Sequence, residues 1–218
     1  MLSVAALGSS AQAGSYYGKD NYYTRDESEN ASQWFGRGAV ELGLDNNEVD
    51  VHEFESILSG ELPNGTIVGE GSHKDHRPGM DLTFSAPKTL SILGLVGGDD
   101  RLIRANMEAV KSTLAWAEAN IAEARVRTGE STVEVVKTGN LVAALFAHDT
   151  SRSLDPQVHV HAVIANATQT QDGKWRALHN DKLWKNNSLL GAIYHNYLRE
   201  RVEGLGYARV TRYGHVAL

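Results

Sequence analysis

The spacing of apolar and polar residues along the chain predicts a mixed α/β protein. Short runs rich in β-branched residues indicate strands at residues 2–8, 80–85, 132–137, 140–148 and 158–168. Apolar residues at helical spacing, preceded by capping signals, predict helices from residue 50, from 88, from 99 to about 125, and from 181 to 203. Residues 61–78, rich in Gly, Pro and Asn, predict a loop. We therefore expect helices packed on a sheet whose strands are largely antiparallel.

Composition narrows the class of protein. The 218 residues include no cysteine, which excludes a thiolate nucleophile, a disulfide scaffold and a Cys-ligated metal. Any metal must therefore bind to His, Asp or Glu. The N-terminal stretch has no basic region before its short apolar run, and no apolar run reaches the roughly 18 residues of a membrane helix. These features predict a cytoplasmic protein without membrane insertion.

Charge is distributed unevenly along the chain. The formal net charge of −6 argues against nucleic acid as a ligand, because DNA-binding proteins usually carry a basic excess. Residues 20–61 alone carry a charge of −9, however, so the rest of the chain carries +3. One acidic segment thus masks a mildly basic body, and the charge leaves nucleic acid open as a ligand.

Two histidines on one predicted strand give the sharpest chemical signal. One residue separates His159 from His161, so their side chains project from the same strand face. The strand ending at His148 can pair with theirs through a turn in residues 149–158, which brings His148 opposite His159. Three converging imidazoles predict a metal site of the catalytic kind, with coordination positions left open. The alternative is an accidental, solvated histidine pair.

Four of the eight tyrosines lie close together near the N-terminus, as Tyr16, Tyr17, Tyr22 and Tyr23. A phenol is a weak nucleophile at neutral pH because its pKa is near 10, so covalent catalysis by tyrosine needs a nearby cation or base. The predicted metal would be such a cation. The alternative is that these tyrosines are half-buried packing residues with hydrated hydroxyls.

Polar residues also project from the predicted strand 80–85. Asp81 and Thr83 share one face of this strand, and Asp81 can orient a ligand histidine or accept the tyrosine proton. A solvated carboxylate is the alternative. Lys88 and Arg152 are candidate phosphate contacts, although single basic residues are usually ordinary surface residues.

Taken in order, these motifs resemble the MobF family of conjugative relaxases, the TraI and TrwC type, which belong to the HUH endonucleases. The resemblance rests on the two tyrosine pairs, on Asp81-Leu-Thr-Phe-Ser-Ala-Pro-Lys88, and on the motifs 148–152 and 155–161. It implies an α+β fold, a two-layer α/β sandwich with a central, mainly antiparallel five-stranded sheet. It also implies an enzyme that nicks one DNA strand at a plasmid transfer origin and transfers that strand.

The resemblance assigns roles to individual residues. Tyr16 would attack first, leaving a 5′-phosphotyrosine and a free 3′-hydroxyl, and Tyr22 would perform the second transfer, with Tyr17 and Tyr23 as accompanying tyrosines. The spacer 18–21 is short, which leaves open which tyrosine of the second pair enters the site. The metal ligands and the acid that hydrogen-bonds in the active site would be His148, His159, His161 and Asp81.

The same resemblance sets expectations for domains, cofactor and partners. Residues 1–218 are expected to form a relaxase domain without the family's C-terminal clasp segment and helicase region. The expected cofactor is a divalent metal ion, Mg²⁺ or Mn²⁺, and a three-His site is also compatible with Zn²⁺, Ni²⁺ or Cu²⁺. The expected partners are single-stranded DNA at the transfer origin, relaxosome accessory proteins and a type IV secretion coupling protein.

Two other functional classes stay open on the sequence. A non-catalytic, sequence-specific DNA-binding module would use the histidines for a structural metal and the tyrosines to stack on bases. A small-molecule hydrolase would use a His₃ metal to activate water, and would leave the tyrosine cluster unexplained.

Overall fold

The computed structural model describes residues 1–20, 32–45, 47–69, 76–129, 132–151, 153–208, 210–212 and 215–217. Its helices are α1 (Ser10–Asp20), α2 (Arg37–Glu41), α3 (Val51–Ser59), α4 (Lys88–Ser91), which a π-helical segment (Ile92–Val96) continues, α5 (Asp100–Ile121), α6 (Asp181–Lys185) and α7 (Asn187–Gly204). Its strands are β1 (Leu2–Ala6), β2 (Ser32–Phe35), β3 (Gly79–Ser85), β4 (Glu123–Arg127), β5 (Val133–Lys137), β6 (Ala143–Thr150), β7 (Pro156–Ala165), β8 (Thr168–Gln169), β9 (Trp175–Arg176), β10 (Val210–Arg212) and β11 (His215–Ala217).

A five-stranded sheet forms the centre of the fold. Its strand order is β1-β3-β7-β6-β2, and every neighbouring pair is antiparallel. Strands β6 and β7 are consecutive in the chain and form a hairpin in the middle of the sheet, as their short connection predicts. The predicted mixed α/β fold with a central antiparallel sheet of five strands is therefore confirmed.

Alternate residues of this sheet face two different cores. Leu82 and Val160 belong to the core formed with α5 and α7. On the opposite face, Phe146 packs with Tyr17 of α1 and Phe54 of α3. Helices thus cover both faces, the long ones on the first and the short N-terminal ones on part of the second. Because side chains alternate along a strand, the odd-numbered residues of β7 lie on the second face.

The structure differs from the predicted elements at the end of α5, at Asn186 and at β2, among other places. Helix α5 ends at Ile121 rather than near residue 125, because Ala122 adopts an extended conformation and the next five residues pair with β5. The single helix predicted for residues 181–203 is divided at Asn186 into α6 and α7. Strand β2 was not predicted, although Ser32 and Trp34 alternate as buried positions along it. No helix in the described ranges is both long and apolar enough to cross a membrane.

Candidate metal centre and active site

The three predicted ligand histidines converge on the second face of the sheet. The hairpin pairs His148 of β6 directly with His159 of β7, and His161 follows two residues later on the same face. One ring nitrogen from each histidine lies within 4.8 Å of those of the other two. The ring centroids lie 5.0 to 5.2 Å apart. The register of the β6–β7 hairpin therefore assembles this cluster.

Hydrogen bonds to neighbouring groups fix how two of these rings are presented. His161 Nδ1–H donates to Asp81 Oδ2 at 2.7 Å, and His159 Nδ1–H donates to the Gln157 carbonyl oxygen at 2.9 Å. Because both acceptors need a donor on Nδ1, both rings keep a free electron pair on Nε2. Histidines that bind a metal through one ring nitrogen characteristically donate the N–H of the other to a carboxylate or a carbonyl oxygen.

The donor set fits a divalent metal ion. Within the described part of the chain, the buried Nε2 of His148 has no hydrogen-bond partner. Burying a polar atom without a partner costs free energy, which binding of a metal ion to that atom would offset. Burial, with smaller contributions from His161 and His159, lowers the pKa of His148 to about 3. Burial also lowers the pKa of His159, against the opposing effect of its bond to Gln157. Both rings therefore stay neutral near pH 7, which is the form that binds metal.

Burial of a neutral His148 predicts a pH-dependent stability of the metal-free protein. The ordinary histidine pKa is about 6.5, so below that pH the unfolded chain binds a proton that the folded chain excludes. The free energy of unfolding should fall as the pH drops from about 6.5 toward 3, by at most about 1.4 kcal/mol per pH unit from this residue. Urea denaturation of EDTA-treated protein at several pH values measures this slope. His148→Gln should reduce this slope, whereas His52→Gln, at an exposed position of α3, should not. Equal slopes in all three proteins would contradict the prediction.

Consecutive tyrosines on α1 have different surroundings. Tyr16 is 44% exposed, and its ring centroid lies 6.1 Å from that of His161. Tyr17 is 4% exposed and stacks on Phe146 at 5.0 Å, so it lies in the core behind the cluster. Neighbouring helical residues point about 100° apart, which explains the separation. The predicted site residues Tyr22, Tyr23 and Arg152 lie outside the described residues.

The histidines line an open cavity of about 840 Å³ together with Tyr16. Its other lining residues are Met1, Thr83, Ser85, Ala86, Pro87, Asp149, Thr150, Ser151, Leu154, Gln157 and His195. No local sequence pattern singles out Met1 and His195, which tertiary packing brings together across nearly the whole chain. The Met1 amino group donates to Ser85 O at 2.6 Å and lies 3.2 Å from His195 Nε2. Burial lowers the pKa of this amine and of His195.

Lys88 and Ser91 of α4 hold the beginning of β7. Lys88 Nζ donates to the Pro156 carbonyl oxygen at 2.8 Å, and the Val158 N–H donates to the buried Ser91 Oγ at 2.9 Å. Gln157, whose carbonyl orients His159, lies between these two anchor points. Lys88 is not one of the described residues that line the cavity. Its predicted phosphate contact stays a prediction, and its observed contact is structural.

Loss of the Ser91 hydroxyl should affect both stability and the histidine cluster. Ser91→Ala leaves the Val158 N–H buried without an acceptor, so we expect a loss of about 1–3 kcal/mol in the free energy of unfolding. Since Val158 then loses its hydrogen bond to α4, we expect residues 156–158 to shift and metal binding to weaken. Titration calorimetry measures the metal affinity. Ser59→Ala removes an exposed hydroxyl on α3 and should change stability by less than about 0.5 kcal/mol. Unchanged metal affinity in Ser91→Ala would show that α4 does not position His159.

Comparison with known proteins identifies the family of the chain. Residues 10–217 match the family model described as TrwC relaxase. The chain belongs to the TrwC relaxase family. The predicted membership among the MobF-type relaxases is thereby confirmed.

Relatives in this family share both sequence and fold with the chain. It is 47% identical over 221 residues to the multifunctional conjugation protein TraI of Escherichia coli, an alignment covering 95% of the chain and 12% of TraI. A copper-bound structure of conjugative relaxase TrwC in complex with oriT DNA has a TM-score of 0.89 at 42% identity, covering 99% of this chain and 75% of that one. TrwC complexed with a 27-mer DNA comprising the recognition hairpin and the cleavage site has a TM-score of 0.85 at 41% identity, covering 100% and 74%.

Proposed function

We propose that this relaxase domain, residues 1–218, cuts one DNA strand at a plasmid origin of transfer and later rejoins it, so that it starts and ends conjugative transfer. The observation that carries the proposal is the position of Tyr16, which lines the same cavity as the three histidines. The DNA carried by the related TrwC, with its recognition hairpin and cleavage site, supports single-stranded transfer-origin DNA as the substrate.

The proposed reaction is a transesterification. The Tyr16 Oη attacks the scissile phosphorus, the bond from phosphorus to the 3′ oxygen breaks, and the phenolic proton is transferred overall to that departing oxygen. The products are a 5′-phosphotyrosine and a free 3′-hydroxyl. Since one phosphodiester replaces another, a 3′-hydroxyl can reverse the step and reseal the strand without ATP.

The residues of the chain prepare this site before DNA binds. Asp81 and the Gln157 carbonyl hold His161 and His159 in one tautomer, so their Nε2 atoms need not reorganise. A divalent metal would be held by His148, His159 and His161. When bound, it would neutralise charge on the phosphate oxygens. Tyr17 supports His161 from the core, with ring centroids 5.3 Å apart.

The second tyrosine pair has a proposed role in the second transfer. Once Tyr16 carries the DNA strand, its oxygen is no longer available as a nucleophile. Tyr22, accompanied by Tyr23, would then attack the second scissile phosphate. Arg152, next to the cavity residue Ser151 in sequence, is our proposed contact to the phosphate backbone.

The finer assignments of metal and partners are also proposals. We propose Mg²⁺ or Mn²⁺ as the working metal, because these ions are abundant and accept phosphate oxygens and water as further ligands. Zn²⁺, Ni²⁺ and Cu²⁺ would bind three imidazoles more tightly. In the cytoplasm of the donor cell, relaxosome accessory proteins would expose the strand, and a type IV secretion coupling protein would receive the product.

A covalent-adduct assay tests the proposal. The protein is incubated with end-labelled single-stranded DNA from its plasmid's transfer origin, with Mg²⁺ or Mn²⁺ or with EDTA, and run on a denaturing gel. We expect a metal-dependent protein–DNA band. Trypsin cuts after Lys19 and Arg25, so mass spectrometry distinguishes an adduct on peptide 1–19 from one on peptide 20–25. Binding without any covalent band would support a non-catalytic DNA-binding module instead.

A further inference from the structure

An unusual leucine lies at the edge of the cavity, in the turn between β6 and β7. Among the described residues, Leu154 is the only one other than glycine with a positive φ, which is 61°. This left-handed conformation is unfavourable for leucine and suits glycine or asparagine. Its side chain is also 70% exposed and lines the cavity. One exposed leucine is ordinary on a protein surface, but an exposed leucine in a strained conformation beside an active site is not.

Hydrogen bonds in the turn hold Leu154 in this conformation. The Leu154 N–H donates to the Ser151 carbonyl oxygen at 2.9 Å. Ser151 Oγ accepts from the N–H groups of Ser153 and Asp155, each at 3.2 Å, and the Ser151 N–H donates to Asp155 O at 2.9 Å. The turn closes on itself around residue 154. The leucine side chain is therefore presented to solvent by a hydrogen-bonded backbone.

We propose that Leu154 packs against an unpaired base of the DNA strand next to the scissile phosphate. The inference rests on the proposed function, since it assigns the cavity edge to the same substrate. Single-stranded DNA exposes base faces that proteins cover with aromatic or apolar side chains. An uncharged side chain adds base contact but no phosphate contact, so its contribution is independent of salt. Because hydrogen bonds already hold the backbone of the turn, binding would order little additional backbone.

Leu154→Gly separates this role from a structural one. Glycine tolerates the left-handed conformation, so we expect a higher Tm in the variant. We expect its affinity for DNA to fall about fivefold to tenfold, because one apolar base contact is lost. Affinity is measured by fluorescence anisotropy in EDTA with a labelled transfer-origin oligonucleotide, at two salt concentrations. The fold-change should be equal at both. Val96→Ala, at a residue 69% exposed and outside the cavity lining, is the matched control and should bind like wild type.

Abasic oligonucleotides identify the contact. When the contacted base is removed, wild type and Leu154→Gly should bind equally, whereas removal of other bases should leave the difference intact. A lower Tm with unchanged affinity would overturn the inference and make Leu154 a structural residue. A difference that persists on every abasic oligonucleotide would also overturn it. Because affinity is measured in EDTA, where no cleavage occurs, this test does not depend on the covalent-adduct assay. Absence of an adduct would overturn the proposed function, whereas equal affinity of wild type and Leu154→Gly would overturn this inference.

Discussion

Tyr16→Phe should abolish the covalent protein–DNA adduct while leaving DNA binding nearly unchanged. The substitution removes only the phenolic oxygen from a ring that is 44% exposed at the cavity. Loss of a nucleophile costs on the order of 10³-fold or more in rate, because the phenylalanine ring carries no oxygen that could attack phosphorus. An exposed hydroxyl contributes little to binding, so the Kd should change by no more than about twofold. Denaturing gels measure the adduct, and anisotropy in EDTA measures the Kd.

Tyr17→Phe is the matched control on the neighbouring residue. Tyr17 is buried and stacked on Phe146, and it is not among the described residues that line the cavity. We expect the adduct to persist in Tyr17→Phe and to map to peptide 1–19. Adduct formation by Tyr16→Phe at the wild-type rate would instead assign the first cleavage to another tyrosine. A large loss of affinity in Tyr16→Phe would make Tyr16 a base-stacking residue.

The histidine cluster could be predicted from the sequence because strand geometry alone determines it. The period of two along β7 puts His159 and His161 on one face, and the short turn of the hairpin brings His148 opposite His159. For the tyrosines, local geometry makes no such prediction, and only the family resemblance singled out Tyr16. Two consecutive helical residues point in different directions, and only packing against Phe146 decides that Tyr17 is the buried one.

Interactions that depend on tertiary packing could not be read from local patterns. Lys88 looks like a surface cation in the sequence, yet its ammonium group binds the Pro156 carbonyl, 68 residues away. The contact between Met1 and His195 spans 194 residues. Similarly, helix α5 ends at Ile121 because the next residues pair with β5, and local helical spacing contains no information about that partner.

Asp81 was predicted from the sequence as a carboxylate on the polar face of a strand, and its surroundings now indicate what it does. It is 7% exposed, and its Oδ2 accepts both from His161 Nδ1–H and from Thr83 Oγ1–H, the latter at 3.1 Å. A buried carboxylate behind a ligand histidine fixes the ring and makes the other nitrogen a stronger donor to metal. The charge of Asp81, and not only its shape, should therefore contribute to metal affinity.

Asp81→Asn should lower metal affinity about 10-fold to 100-fold, because the amide keeps the shape of the carboxylate but removes the negative charge behind His161. Titration with Mn²⁺, followed by the electron paramagnetic resonance of the free ion, measures this affinity. The adduct should form slowly at limiting metal and recover at saturating metal, since Tyr16 is unchanged. Thr83→Val keeps the carboxylate and should have a smaller effect. Unchanged affinity together with reduced stability would show that Asp81 only supports the fold, and adduct loss that saturating metal does not restore would place the carboxylate in the chemical step itself.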